Sequence, residues 1–271
     1  IENLYSSIVD DPDLSSHAKI IETIIYSYFS SLVMPKTPTM YDYLVLSLRK
    51  KDMIATFNWD PFLYQAFNRV SRIVGLDFLP RLSFLHGNVA TGFCQSSDHE
   101  RMMVGGIHQT CSCGNDLEPC SLLYPVRQKN YTDDPFISAG WHDTQVCLEN
   151  AYMFTIFGYG APESDVEAVS LLQDGWGEGN KRNLEQVEII DIVERDALVE
   201  RWERFLCKDH LFTPGSFERS YMMSHPRRSC DAFWDAAMQC APRSETPIDL
   251  GASWDELREW VAPYIEVEKE I

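Results

Sequence analysis

The sequence predicts an α/β protein built on a doubly wound parallel sheet. Three observations lead there. Short apolar runs at Met53–Phe57, Leu82–Leu85, Tyr152–Phe157 and Val187–Ile192 have the length of buried strands. Segments of helical periodicity alternate with them, and no hairpin signal joins one run to the next. Each run also ends in a small or polar residue: Asn58, His86, Gly158 or Asp191. Open α/β sheets bind ligands at such strand ends, and the four together are expected to line one crevice.

Before the first strand, Ser15 and Ser16 are placed to cap a helix. Its Ile20, Ile21, Ile24, Ile25, Tyr28, Phe29 and Leu32 recur on one face, and Pro35 and Pro38 break it. Thr39 caps a second helix carrying Tyr41, Leu44, Val45 and Leu48, with Lys50 and Lys51 well placed at its carboxyl end. After the Met53–Phe57 strand, Asp60 is a good N-cap and Pro61 is tolerated in the first turn, because its missing N–H would be unpaired there anyway. That helix runs to about Val74. From Gly87 to about Asp134 the periodicity fails, as in an inserted module held by something other than a large core.

A weak helix at Trp141–Asn150 precedes the strand ending in Gly158-Tyr159-Gly160, and Ser164 caps the helix that follows. Beyond Ile192, helices are expected at Ala197–Cys207, Phe217–Met223, Arg228–Met238 and Ser253–Val261. Ser253 and Glu256 form a capping box on the last. Trp202, Trp234, Trp254 and Trp260 read as core, and Pro226-Arg227-Arg228-Ser229 as a helix start with solvated arginines. The domain reading is an α/β domain over 1–192, with a cysteine-containing insertion at 87–134. A helical extension over 193–271 packs on the same core.

At 271 residues the chain can bury a full core, and its 45% apolar content is that of a globular protein. A formal charge of −18 disfavours a broad nucleic-acid or anionic-membrane surface. No apolar run reaches bilayer length and no secretory pattern is present, so a cytoplasmic protein is expected. The chain begins at Ile1 and not at Met, and further residues are expected upstream. Eight cysteines are too few for a disulfide scaffold of this size. Cys147, Cys207, Cys230 and Cys240 are scattered and read as reduced, buried thiols. Cys94, Cys111, Cys113 and Cys120 fall together, and four such ligands suit tetrahedral zinc, with His99 and His108 as spare candidates. The C-x-C pair is tighter than the usual C-x-x-C, so a degenerate knuckle of reduced thiols stands as the alternative.

The order T-x-N-x-D (Thr56, Asn58, Asp60), then His86-Gly87, a cysteine-bearing insertion and a strand ending in Gly158-Tyr159-Gly160 resembles the sirtuin superfamily. It is most similar to bacterial sirtuin-like NAD-cleaving domains, in which an Asp follows that strand as in Ser164-Asp165. The similarity covers roughly Tyr41 to Ile192. It implies a Rossmann-like sheet, a structural zinc in the insertion, re-entry through Leu122–Val126, and a role in anti-phage defence by NAD depletion. The family's Gly-Ala-Gly-x-Ser turn, whose backbone N–H groups hold the NAD pyrophosphate, does not occur here and is expected upstream.

Breaking the nicotinamide–ribose bond generates an oxocarbenium-like centre. An Asn amide can fix the ribose and the attacking water, and a His can take the proton near neutral pH. Asn58 and His86 are the candidates, beside Thr56 and with Asp60 either orienting the carboxamide or capping its helix. Gly158, Tyr159 and Gly160 resemble the loop on the adenosine side of NAD, and Asp191 can accept from a ribose hydroxyl; a plain turn and a strand edge are the bland readings. Lys129-Asn130-Tyr131 is a candidate rim. A protein-lysine deacylase and a degenerate binding or assembly module are the alternatives. The expected partners are NAD and a second copy or a sensor protein, with neither nucleic acid nor membrane.

Overall fold

The computed structural model describes every residue except 1–4, 6, 10, 12–13, 100–101, 125–129, 163–164, 208–209, 241 and 271. The expected contributions of Ser164, Lys129 and the end of Leu122–Val126 lie outside the described residues. In chain order the elements are α1 (Ser15–Ser30), α2 (Met40–Ser47), β1 (Met53–Thr56), α3 (Phe62–Val74), β2 (Arg81–Phe84), β3 (Thr91–Cys94), β4 (Met103–Gly106) and β5 (Glu118–Pro119). There follow α4 (Pro135–Asn150), β6 (Met153–Phe157), α5 (Val166–Trp176), β7 (Gln186–Ile190), α6 (Arg195–Trp202), β8 (Leu211–Phe212), α7 (Tyr221–Ser224), α8 (Ser229–Met238) and α9 (Trp254–Glu268). This is a mixed α/β protein with parallel strand pairing. No helix among the described residues is long and apolar enough to cross a membrane.

The chain divides into two compact units, one formed by 1–34, 54–65 and 82–143, the other by 35–53, 66–81 and 144–271. Strand β1 lies beside β2. The bonds Arg81 N–H to Asp52 O and Leu85 N–H to Thr56 O, both 2.9 Å, keep one offset along the two strands, as only a parallel pair does. Helix α1 begins at Ser15, with Leu14 at its N-cap, not behind a serine cap. Its apolar positions form two rows: Ile21, Ile25 and Phe29 are half-buried, whereas Ile20, Ile24 and Tyr28 stay exposed. The segment expected to be irregular contains a three-stranded antiparallel sheet, ordered β4-β3-β5. Its strands have four, four and two residues, too short and too Gly-rich to show an alternating pattern.

In the second unit β6, β7 and β8 form a parallel sheet in that order, with α5 and α6 as the crossovers. Strand β8 was not evident in the sequence, because two residues carry no periodicity. Every residue of β7 is buried, and Trp176, Trp202, Phe205 and Phe217 fill the surrounding core. Trp234 is exposed, contrary to expectation, and so are Cys230 and Cys240; Cys147 is half-buried and Cys207 buried. Helix α9 opens with the predicted box, Glu256 accepting from the Ser253 N–H at 2.8 Å and its hydroxyl at 2.7 Å. It then continues through Pro263 to Glu268.

The basic island also differs from its reading. The Arg227 side chain is fully buried. Its guanidinium donates to the carbonyls of Leu46, Leu48 and Phe78 at 2.9–3.0 Å and to both carboxylate oxygens of Glu268 at 2.6 and 2.8 Å. Five acceptors satisfy the planar fork, which is what makes a buried arginine tolerable.

Candidate functional site

Cys94 is the last residue of β3, and a tight turn presents Cys111 and Cys113. That turn is closed by Gly114 N–H to Cys111 O at 2.9 Å and Cys111 N–H to Asn115 O at 2.8 Å. The Cys94 and Cys113 sulfurs are 3.7 Å apart, and His99 Nε2 lies 2.9 Å from the Cys111 sulfur. All four donor atoms fall within 4.8 Å of one another. Tetrahedral zinc with Zn–S bonds near 2.3 Å spaces its sulfurs about 3.8 Å apart, so the Cys94–Cys113 pair already has the required edge. The shorter His99–Cys111 approach is that of a hydrogen bond. The Cys113 backbone N–H lowers the pKa of the Cys111 thiol, against the opposing effect of burial. The Asn115 N–H does the same for Cys113. Both effects favour the thiolate, the form that binds metal. Cys94, His99, Cys111 and Cys113 therefore fit a structural zinc.

Cys120 does not belong to this set, although the sequence grouped it there. In the β3/β5 register Gly92 faces Pro119 and Phe93 faces Glu118, so Cys120 falls opposite Thr91, at the far end of β3 from Cys94. Three residues of strand separate them, about 10 Å. The Cys120 thiol is buried there, donating to Asn88 O at 3.0 Å and accepting from Asn88 N–H at 3.2 Å. The signal for the fourth member of the cluster was present: C-x4-H (Cys94, His99) and C-x-C (Cys111, Cys113) are two short pairs. His108 is exposed and outside the set.

The Leu85–Thr56 bond brings the ends of β1 and β2 side by side, and with them Thr56, Asn58 and His86. Thr56 Oγ1 accepts from the Asn58 N–H at 3.1 Å, and the Asn58 residue is exposed. His86 is only 7% exposed. Its Nε2 lies 3.1 Å from the Tyr131 hydroxyl, and the Phe57 ring meets it edge-on at 4.8 Å. Trp141 packs on both Phe57 and Tyr131 and donates its indole N–H to Leu85 O at 3.2 Å. Tyr131 and Trp141 were not recognised as neighbours of the histidine, because contacts across long sequence separations leave no local signature.

Asp60 takes the structural role. Its carboxylate accepts from the Phe62 N–H at 3.0 Å as α3 begins, and its carbonyl accepts from the Asn88 side chain at 2.6 Å. Burial pushes its carboxyl pKa up. Behind His86, Gly87 adopts φ +80°, and a Cβ there would overlap the Ser121 carbonyl. Leu123 N–H donates to His86 O at 2.9 Å. The chain leaving the cysteine sheet is thus bonded directly to the histidine's backbone.

Gly158, Tyr159, Gly160 and Asp191 belong to the other unit. There Phe157 faces Ile190 in the parallel ladder, so Gly158 and Asp191 follow neighbouring strand ends. Gly158 has φ +63° and open space where a Cβ would be, while its N–H donates to Ile190 O at 3.0 Å. The Tyr159 hydroxyl donates to Asp165 at 3.1 Å, and Gly160 is exposed. Asp191 Oδ1 accepts from the Val193 N–H at 3.0 Å, closing a turn. No protein-family model and no curated protein matches this chain.

Proposed function

We propose that the chain is a sirtuin-like, Rossmann-like domain that hydrolyses NAD to nicotinamide and ADP-ribose, with a zinc-stapled insertion over 87–134. The observation that supports this reading is the Leu85–Thr56 bond, which joins the ends of the two parallel strands that lead into Asn58 and His86. The Asn58 amide holds the ribose hydroxyls and the attacking water. As the bond to nicotinamide breaks, the water oxygen bonds to the ribose carbon and its proton passes to the neutral His86 imidazole. The Tyr131 hydroxyl orients that ring. The zinc would supply folding free energy and no chemistry. Depletion of NAD in an infected bacterium is the biological role this activity would serve.

The test is incubation of the purified protein with NAD, following nicotinamide release. His86→Ala should lower turnover by about 10²–10⁴-fold. Turnover that does not change would remove His86 from the mechanism. Cleavage only in the presence of an acyl-lysine peptide would make the protein a deacylase. The low exposure of His86 between the Phe57 and Tyr131 rings supports a second reading, a nucleotide-binding module in which this histidine is structural. In that case NAD raises the melting temperature and releases no nicotinamide.

A further inference from the structure

A second group of donors gathers in the other unit, away from sulfur. His225 follows α7, Asp235 lies on α8, and Glu245 lies between α8 and α9. One ligand atom from each falls within 4.8 Å of the others. His225 Nε2 is 2.9 Å from Asp235 Oδ2. The His225 side chain has no exposed surface, and its Nδ1 has no hydrogen-bond partner among the described residues. A cation shared with the carboxylates would sit on Nε2, the ring atom that faces Asp235, in place of the hydrogen bond that joins them.

Glu245 is the exposed member, and both its neighbours are tied down. The Arg228 guanidinium donates to Ser244 O at 2.9 Å and to the Thr246 hydroxyl at 3.0 Å. Thr246 N–H donates to Ser224 O at 3.1 Å, next to His225. The short stretch carrying Glu245 is therefore fixed on the corner that carries the histidine. Two carboxylates brought this close repel each other unless a cation lies between them.

We infer that His225, Asp235 and Glu245 form a second metal site, for a divalent first-row cation with water in its remaining positions. One imidazole and two carboxylates make a set of intermediate hardness, suited to Mn2+, Fe2+ or Zn2+ and unsuited to Cu(I). The sulfur cluster is soft and takes Zn2+ first, so the two sites separate by chemistry.

The experiment uses the full chain loaded with one equivalent of Zn2+, then titrated with Mn2+ while free Mn2+ is followed by electron paramagnetic resonance. One further equivalent should bind, and Zn2+ should displace it. Glu245→Gln, an isosteric change at an exposed position, should weaken binding at least about tenfold, and Asp235→Asn should do the same. The inference is overturned if neither Mn2+ nor a second equivalent of Zn2+ binds, or if Glu245→Gln binds Mn2+ as tightly as the parent.

Discussion

The unit that carries His86 and the unit that carries Gly158 and Asp191 are held together by different means. In the first, the 91–119 sheet has strands of two to four residues, and its buried cluster consists of Cys94, Cys111 and Leu117 with Cys113 packed against them. Beyond these, Phe93 stacks on Phe136 at 5.8 Å, and a metal held by the cysteine and histidine side chains would add cohesion to so small an apolar group. In the second, Trp176, Trp202, Phe205 and Phe217 are buried with the whole of β7, and Arg227 joins three carbonyls to Glu268. Cohesion there is distributed over a large core. The comparison teaches that one chain can carry a region suited to coordination chemistry and another held by packing, with different vulnerabilities.

The largest expected effect comes from removing metal. Structural zinc carries on the order of 10 kcal/mol of folding free energy in small modules. A strong chelator should therefore abolish amide hydrogen-exchange protection across 91–119 while β6 and β7 keep theirs. Equal loss in both regions, or in neither, would break the comparison.

Next in size is Arg227→Met, which leaves Glu268 buried without its main partner and three carbonyls without a donor. A loss of about 3–5 kcal/mol is expected in urea denaturation. A value below about 1 kcal/mol, typical of an exposed pair, would make the clamp incidental.

Glu188 sharpens the contrast further. It lies on β7, accepting from the Tyr221 N–H at 2.7 Å and the Thr155 hydroxyl at 3.0 Å. Burial raises its carboxyl from 4.5 to about 7, outweighing those two bonds. The folded protein thus holds this proton more tightly than the unfolded chain does. Its contribution is complete below about pH 4.5 and is lost as pH rises through about 7, amounting to roughly 3 kcal/mol. Glu188→Gln should flatten that part of the stability–pH profile; a variant whose urea midpoint shifts between about pH 5 and pH 8 as much as the parent's does would refute the assignment.

The smallest effect is expected at Cys120. Cys120→Ala gives up the contacts to Asn88 and should cost about 1 kcal/mol, with zinc stoichiometry unchanged. Cys113→Ser should lower that stoichiometry. Zinc loss in the Cys120 variant instead would restore Cys120 as a ligand.

Much of this was legible in the sequence, and what was not has physical causes. Strands β1, β2, β6 and β7 lie within a residue or two of their apolar runs, because a short apolar run is a local signal, although only β7 is buried throughout. The Asp60 turn and the Ser253 box were equally plain, since capping is local chemistry. The 91–119 sheet was illegible because its strands are short and Gly-rich. Arg227 was misread because a basic cluster usually faces water, and only the fold supplies five acceptors for it. Cys120 was misassigned because proximity in sequence says nothing about which end of a strand a residue occupies. The aromatic rings around His86 come from positions 57, 131 and 141, too far apart for any periodicity to connect.

Gly87 has a consequence beyond its own turn. The Cys120 sulfur grips Asn88, and the Leu123 amide grips His86, so a stretch of a few residues is fastened on both sides of a position that admits no side chain. There is no slack in that joint. An alkylating agent or an oxidant that reached the Cys120 sulfur would register at the imidazole as a mechanical displacement, delivered through covalent backbone.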